Sequence, residues 1–476
     1  MTETSDTKQT SQVRKIFQLL QEAIQGKELD FTQGSIRRAV LLLAIPMMLE
    51  MIMESVFALV DLYFVGHLPH SSEAIQTVGL TESVLTIIYS LAIGMSMAAT
   101  AVVARRIGEK DPEAAAKAGM QALLIAMAFN VVISIVGFIY ATDILKLMGA
   151  SAETAAIGTP FIKIIMASSS VIVLLFLING IFRGAGNAAI AMRSLWVANI
   201  ANIILCPILI NGWGPIPAFG LTGAAMATAA GRGMGVIYQL YHLFSGSSAL
   251  KIKASYFYPH VQQIKALLKI ATPAIFQFII ASCSWIFLAQ LVATTGGDHG
   301  SAGYQTALRL MMFFMLPAMG LSNAAATLVG QNLGAKDTKR AEESVLKTTK
   351  YIIIYMAIAM VLTFTAGHYF ISFFTDDVLI QQFASRALNI MSGGFVFYGT
   401  AMVMISTFNG AGDTWTPTWV NFFGFWLFQI PLAYILAKTT GLGVDGVFIA
   451  IPIAETGIAI AAFILFKKGG WKLKQV

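Results

Sequence analysis

Bilayer-length apolar runs recur twelve times along the chain, at about residues 40–66, 76–104, 114–141, 155–181, 190–210, 221–243, 268–293, 304–329, 345–373, 383–407, 416–437 and 444–466. About 20 apolar residues at 1.5 Å each cover the ~30 Å hydrocarbon layer, so each run predicts a spanning helix. Short polar segments separate the runs, and an even number of crossings returns both chain ends to one side. The expected fold is therefore an all-α polytopic membrane protein. Residues 1–39 read as a cytoplasmic tail, 40–243 as an N-terminal six-helix lobe, 244–267 as a cytoplasmic linker, 268–466 as a C-terminal six-helix lobe and 467–476 as a basic tail. The stretch Val13 to Ile24 has apolar residues at helical spacing, which predicts a short amphipathic helix on the inner leaflet.

The pattern repeats. Ile107 to Asp111 reads IGEKD and Leu333 to Asp337 reads LGAKD; Phe182 to Gly186 reads FRGAG and Phe408 to Gly412 reads FNGAG. Both pairs are offset by 226 residues, while Pro46 and Pro273 are 227 apart and Gly223 and Gly446 are 223 apart. Near-constant offsets predict two pseudo-symmetric six-helix bundles, related by an axis along the membrane normal, with a cavity between them.

Composition sharpens the membrane reading. Of 476 residues, 57% are hydrophobic and 12% charged, which excludes a soluble globular chain. The net charge of +7 comes from 31 basic residues, and all but Lys146, Lys163, Arg232, Arg309, Arg386 and Lys438 fall on the side of the two tails. That asymmetry predicts cytoplasmic termini and removes nucleic acid as a partner. Cys206 and Cys283 lie inside apolar runs, so no disulfide framework is expected. No phosphate-binding GxxxxGK[ST] loop and no HExxH are present. ATP hydrolysis and zinc chemistry are thus not expected, and neither is an intramembrane enzyme, which would need a nucleophile and base or a metal cluster. The one expected co-reactant is a coupling ion, H+ or Na+.

Charged residues inside the runs are the candidate chemistry. Glu50, Glu54 and Asp61 return to within roughly 40° of one another around the first helix and spread over about 16 Å of depth. Such a stripe should face a cavity or a partner, since ionised carboxylates are costly in hydrocarbon. Glu50 stands closest to the basic end, where an interfacial position is an equal alternative. Glu82 lies in the second helix, Asn179 ends the fourth, Asn199, Asn202 and Cys206 share a face of the fifth ahead of Pro207, and Thr228 lies in the sixth. Their oxygens are the hard ligands that a sodium ion or a proton relay uses, although Asn, Ser and Thr also glue membrane helices together. In the second half, Arg309 and Glu455 are the charged exceptions, and pairing with each other is one option. Tyr398 and a set of Trp and Phe residues offer stacking to flat cations, and Met47, Met48, Met51 and Met53 an adaptable surface.

These residues resemble the multidrug and toxic compound extrusion (MATE) family. The likeness rests on VDLYFVG at Val60 to Gly66, ARRIGEKD at Ala104 to Asp111 with its echo GQNLGAKD at Gly330 to Asp337, and the FRGAGN and FNGAGD turns. The resemblance implies two six-helix bundles around a central V-shaped cavity, and export of organic cations or other drugs in exchange for H+ or Na+. It implies cation coupling at Asp61, with Asn179, Asn202 and Thr228 around the ion, and Na+ would sit at Asp61 and Asn202. Cys206 stands where one branch has a second aspartate, and Ala281 and Tyr398 stand where another has a glutamate and an aspartate. Glu54, seven residues before Asp61, is the candidate replacement carboxylate. Glu50, Glu82, Cys206, Tyr398 and Glu455 are the candidate substrate-cavity residues. Two nearby carboxylates favour H+. The chain is expected to act as a monomer in a cell's inner (plasma) membrane, on small amphiphilic substrates. A flippase for a lipid-linked precursor is the alternative, and would call for basic cavity residues.

Overall fold

The computed structural model describes residues 14, 17–26, 30–66, 71–245 and 250–476, with the backbone alone described at 58, 59, 61–63, 65, 66, 71–73, 75 and 254. The helices are α1 (Ile36–Gly66), α2 (Ser71–Gly108), α3 (Pro112–Ile139), α4 (Ala152–Ala167), α5 (Ser169–Gly184), α6 (Ala188–Asn211), α7 (Gly220–Phe244), α8 (Val261–Gly334), α9 (Thr338–Ser372), α10 (Val378–Ser392), α11 (Phe395–Gly410), α12 (Trp415–Lys438) and α13 (Val444–Lys468). Helix α8 turns at Gly297 (φ 61°, ψ −159°), so it makes two crossings. The pairs α4/α5 and α10/α11 are single crossings bent by 41° and 54°. The twelve apolar runs thus become twelve crossings, among the described residues, of a multi-pass membrane protein. The N-terminal tail falls only partly within the described residues, with helix at 17–25, and 246–249 of the linker lie outside them.

Local chemistry is repeated along with the helices. Lys110 and Lys336 both adopt positive φ (64° and 60°), and each is followed by an aspartate that caps the next helix. Asp111 accepts from the Ala114 amide and Asp337 from that of Arg340, each at 2.9 Å. The 226-residue offset seen in the letters is therefore also an offset in backbone geometry.

The two lobes meet at the end of the molecule that carries both tails. A Cβ on Gly108 would lie 1.9 Å from the Gln331 carbonyl oxygen, and one on Gly334 would lie 2.1 Å from that of Arg105. Gly108 and Gly334 are 226 apart, and so are Arg105 and Gln331, so the same contact is made twice around the pseudo-axis. Further in, Gly320 packs on the Met47 backbone and Gly94 on Ile275. These contacts reach about 21 Å from the tail face at 1.5 Å per residue. Beyond them the lobes separate: Glu82 of α2 and Arg309 of α8 are exposed, yet face each other electrostatically across the gap. That is the expected V shape, closed at the tail face.

Both tails strap this closed face. Asp30 pairs with Lys110 at 2.6 Å, while Arg340 donates to the carbonyls of Phe31, Gln33 and Gly34. At the other end of the chain, Arg105 and Arg106 donate to the Lys474 and Val476 backbone oxygens, and Lys474 pairs with Asp413. The Phe31 ring sits on Gly186 and the Val476 side chain on Gly412, positions again 226 apart. Trp471, fully buried and stacked on Phe466 at 5.4 Å, anchors the C-terminal strap.

Replacing Gly108 or Gly334 by valine should force the lobes apart at the tail face. Spin labels on Lys117→Cys and Lys339→Cys, in a background lacking Cys206 and Cys283, should then show a longer and broader distance distribution; an unchanged one would mean the seam is not tight. The strap also has a pH dependence. Hydrogen bonds from Lys472, and then Lys467, hold the Glu342 carboxyl below its ordinary value of 4.5 against the opposing effect of burial. Its contribution is complete above that value and is lost as the pH falls through the lower folded value. Hydrogen exchange at residues 470–476 should accordingly rise in that acid window in the native chain, but not in Glu342→Gln, where exchange is already fast.

Candidate functional site

Helix α1 carries Glu50 and Glu54 one turn apart, and each carboxylate meets an arginine from another helix. Glu50, 2% exposed, accepts from Asn179 Nδ2 at 3.0 Å and lies 3.6 Å from an Arg183 guanidinium nitrogen. Glu54 lies 3.3 Å from the Arg232 guanidinium. Arg232 is in turn boxed by the rings of Phe57 at 5.2 Å, Tyr89 at 5.9 Å and Phe176 at 6.0 Å. An enclosed carboxylate persists as an ion only with such a counter-charge.

A second layer fixes Asn179. Its Oδ1 accepts from Gln239 Nε2 at 2.6 Å and from Ser194 Oγ at 3.0 Å, so its amide nitrogen is turned towards Glu50. Gln239 also donates to the Leu175 carbonyl, which locks α7 to α5. Asn199 donates to the Met53 carbonyl on α1, and Asn202 donates to Thr228 Oγ1 at 3.2 Å. The Oδ1 atoms of Asn199 and Asn202 and the Oε2 atoms of Glu50 and Glu54 are buried and have no hydrogen-bond partner among the described residues. Buried acceptors in want of a donor are the right chemistry for a proton or a small hard cation.

The predicted residues are thus partly gathered. Asn202 and Thr228 meet, as their pairing around an ion requires, and Asn179 turns to Glu50. Glu50 is deeply enclosed, not interfacial. Glu54 takes Arg232 as its partner, one that reading the residues in isolation did not assign. The Asp61 side chain lies outside the described residues; α1 runs through its position. Cys206 is a fully buried thiol within the apolar core of the N-terminal lobe, and neither it nor Cys283 is in a disulfide. In the other lobe, Arg309 faces Glu82 and not Glu455, while Tyr398 lies within hydrogen-bonding reach of the buried Glu455. Arg183, Ser194 and Gln239 were missed from sequence. The available signal was a second arginine and a glutamine on helices otherwise apolar. Of the stacking candidates, Trp415 and Trp419 pair with each other at the exposed start of α12, and Trp426 donates to the Ile280 carbonyl.

The MatE family profile matches residues 46–208 and 273–435, two copies that begin 227 residues apart and together cover more than half of the chain. The chain belongs to the MatE family. It is 23% identical to the probable multidrug resistance protein YoeA of Bacillus subtilis over 94% of this chain and 96% of that protein. It is 24% identical to the multidrug export protein MepA of Staphylococcus aureus over 91% and 94% of the two. Among solved structures it is similar to an outward-facing multidrug resistance MATE family transporter, with a TM-score of 0.88 and 26% identity over 94% of this chain and 99% of that one. A MatE chain is a transporter, and the repeated profile coincides with the repeated geometry described above.

Arg183→Met should strand Glu50 and cost about 3–5 kcal/mol, the usual penalty for leaving a buried charge unpaired. Adding Glu50→Gln should return most of that loss, read as the melting temperature of the purified protein in detergent. A double variant no more stable than Arg183→Met would show that the pair is not the interaction that matters.

Proposed function

We propose that this MatE protein is a secondary active multidrug efflux antiporter of a cell's inner membrane, exporting organic cations or other amphiphilic xenobiotics in exchange for H+ or Na+. The tail face is cytoplasmic, in keeping with the basic residues gathered there, so the lobes as seen are closed inward and open outward. The observation that carries the reading is the double seam of Gly108 on Gln331 and Gly334 on Arg105 beneath an acidic lobe interior. It gives a hinge with one closed side and a titratable group above it, which alternating access requires. Similarity to relatives named for multidrug export supports the substrate class.

The coupling set is Asp61, Glu54, Asn179, Asn202 and Thr228, and H+ is the favoured ion. A proton arriving at Glu54 cancels the charge that holds Arg232 in its aromatic box. Arg232 keeps its remaining contacts, the Tyr89 side chain among them, and Asp61, seven residues further along α1, is the carboxylate to which its charge would turn. Such an exchange would move α7 against α1 and so couple protonation to lobe shape. Asn199 and Asn202 offer Na+ two amide oxygens, but the nearby fixed charge of Arg232 disfavours a second cation. The flippase alternative gains no support, because the described basic residue at the gap, Arg309, is set against Glu82.

The deciding experiment is efflux of a fluorescent organic cation from proteoliposomes under an imposed pH or Na+ gradient, wild type beside Asp61→Asn and Arg232→Met. Efflux driven by the pH gradient and lost in Asp61→Asn is the expected result. Efflux that survives in Asp61→Asn would remove Asp61 from coupling, and no efflux under either gradient would turn the search towards an endogenous metabolite or lipid.

A further inference from the structure

The last helix of each lobe is a structural counterpart of the other at an offset of 223 residues. Gly220 and Gly443 open α7 and α13 with nearly the same positive φ (56° and 55°). One turn later Gly223 and Gly446 press on the backbones of Leu209 and Leu436. Carried along the two helices, this register sets Glu455 at the position that Arg232 holds in the other lobe. The N-terminal lobe thus has a cation at this place, paired with a carboxylate, whereas the C-terminal lobe has a carboxylate.

Glu455 has no counter-charge among the described residues. It sits near the middle of α13, 2% exposed, and no Lys, Arg or His forms an ion pair with it among the described residues. The group facing it is the phenol of Tyr398 on α11, within hydrogen-bonding reach; Tyr398 in turn has the Tyr304 phenol of α8, stacked on Phe448, beside it. Its Oε1 atom and the Tyr304 hydroxyl have no hydrogen-bond partner among the described residues. A carboxylate in a low-dielectric interior without a counter-charge takes up a proton instead of remaining an ion. No group of three or more His, Cys, Asp or Glu side chains exists among the described residues to hold a zinc-type metal there.

The surroundings also depart from regular α-helix. The α10/α11 crossing breaks at Gly393 and Gly394, and Gly394 packs against Pro452, which lies three residues before Glu455 in α13. Beside it, residues Phe422–Gln429 of α12 are wound as a π-helix, with Gly424 against Ile458. Broken crossings and π-turns concentrate where a membrane protein must rearrange around a bound ion.

We propose that Glu455 is a second proton-binding site, lodged in the C-terminal lobe and holding its proton with the help of Tyr398, and that this proton is exchanged during transport. The exchange rests on the antiport reading above; the bound proton does not. The step is a simple one: the Glu455 carboxyl loses H+ to one side of the membrane and the carboxylate regains H+ from the other. In the lobe with Arg232, protonation releases a cation, whereas here deprotonation creates an uncompensated charge, so the two lobes answer the same proton gradient in opposite electrostatic senses.

The test begins with infrared spectra of the purified protein in lipid vesicles at neutral pH, with no substrate and no gradient. Glu455→Gln should remove one carboxylic acid carbonyl band, and Tyr398→Phe should shift the frequency of that band without removing it. Loss of ionised carboxylate intensity in Glu455→Gln, or a band indifferent to Tyr398→Phe, would overturn the site; the second variant keeps the test open should the first fail to fold. In proteoliposomes, Glu455→Gln should halve the number of protons moved per substrate, and an unchanged ratio would overturn the exchange. Should the wild type transport nothing under a pH gradient, the antiport reading fails while the infrared result still decides whether Glu455 holds a proton.

Discussion

A carboxylate cannot stay ionised inside hydrocarbon without a counter-charge, and this constraint organises the interior of the protein. Glu50 is matched by Arg183 and Glu54 by Arg232, each from a different helix of the same lobe. The matching binds α1 to α5 and α7 in a fixed register, and Gln239 and Ser194 hold Asn179 so that the register persists. Hydrophobic burial does not distinguish the inside of such a bundle from lipid, so polar pairs of this kind carry much of the specificity of helix placement. The same pairs are the ones a proton can break.

The repeat turns that constraint into an asymmetry. The two lobes share their crossings, the broken fourth helix of each, the capped loops at Asp111 and Asp337 and the seam glycines. Yet at equivalent places one lobe buries Arg232 and the other Glu455. Symmetry of the backbone is thus combined with a reversed charge of the side chain, and under the proposed exchange each lobe would answer a proton differently. A protein with the same group on both sides would have two identical switches and no order between them.

Much of the architecture was legible in the letters, because it is written in local and periodic terms. Twelve apolar runs, four pairs of landmarks near an offset of 226 and a one-sided distribution of basic residues require no knowledge of contacts; the runs have their counterpart in the helices and the offset in the two matches of the family profile. The pairing inside the lobe was not legible in this way. Glu54 and Arg232 are separated by 178 residues, and neither helix shows in its own periodicity which neighbour it faces. Glu50 looked as much at home near the headgroups as inside, since depth along a helix does not reveal which helices cover it. Arg183 sits in the FRGAG landmark, where its value as a marker of the repeat hid its role as the counter-charge of Glu50.

The tail face explains how a seam this tight can still open. Its exposed ion pair, Lys110 with Asp30, is of the kind worth little in water, typically ~0–1 kcal/mol, while that of Lys472 with Glu342 is half-buried. They hold the straps in place without locking them. The seam itself is backbone on backbone, Gly108 on Gln331 and Gly334 on Arg105, and apolar cores drawn from both lobes flank it, Leu43 and Met47 packing with the C-terminal lobe and Ile270 with the N-terminal one. Arg105 and Gln331 each also reach a backbone carbonyl of the opposite lobe, at Ala411 and Gly184, and both can turn to water when the lobes separate. In the antiport cycle proposed above, a protonation in either lobe would act on the balance between the open and closed sides to the extent that the two states bind the proton differently.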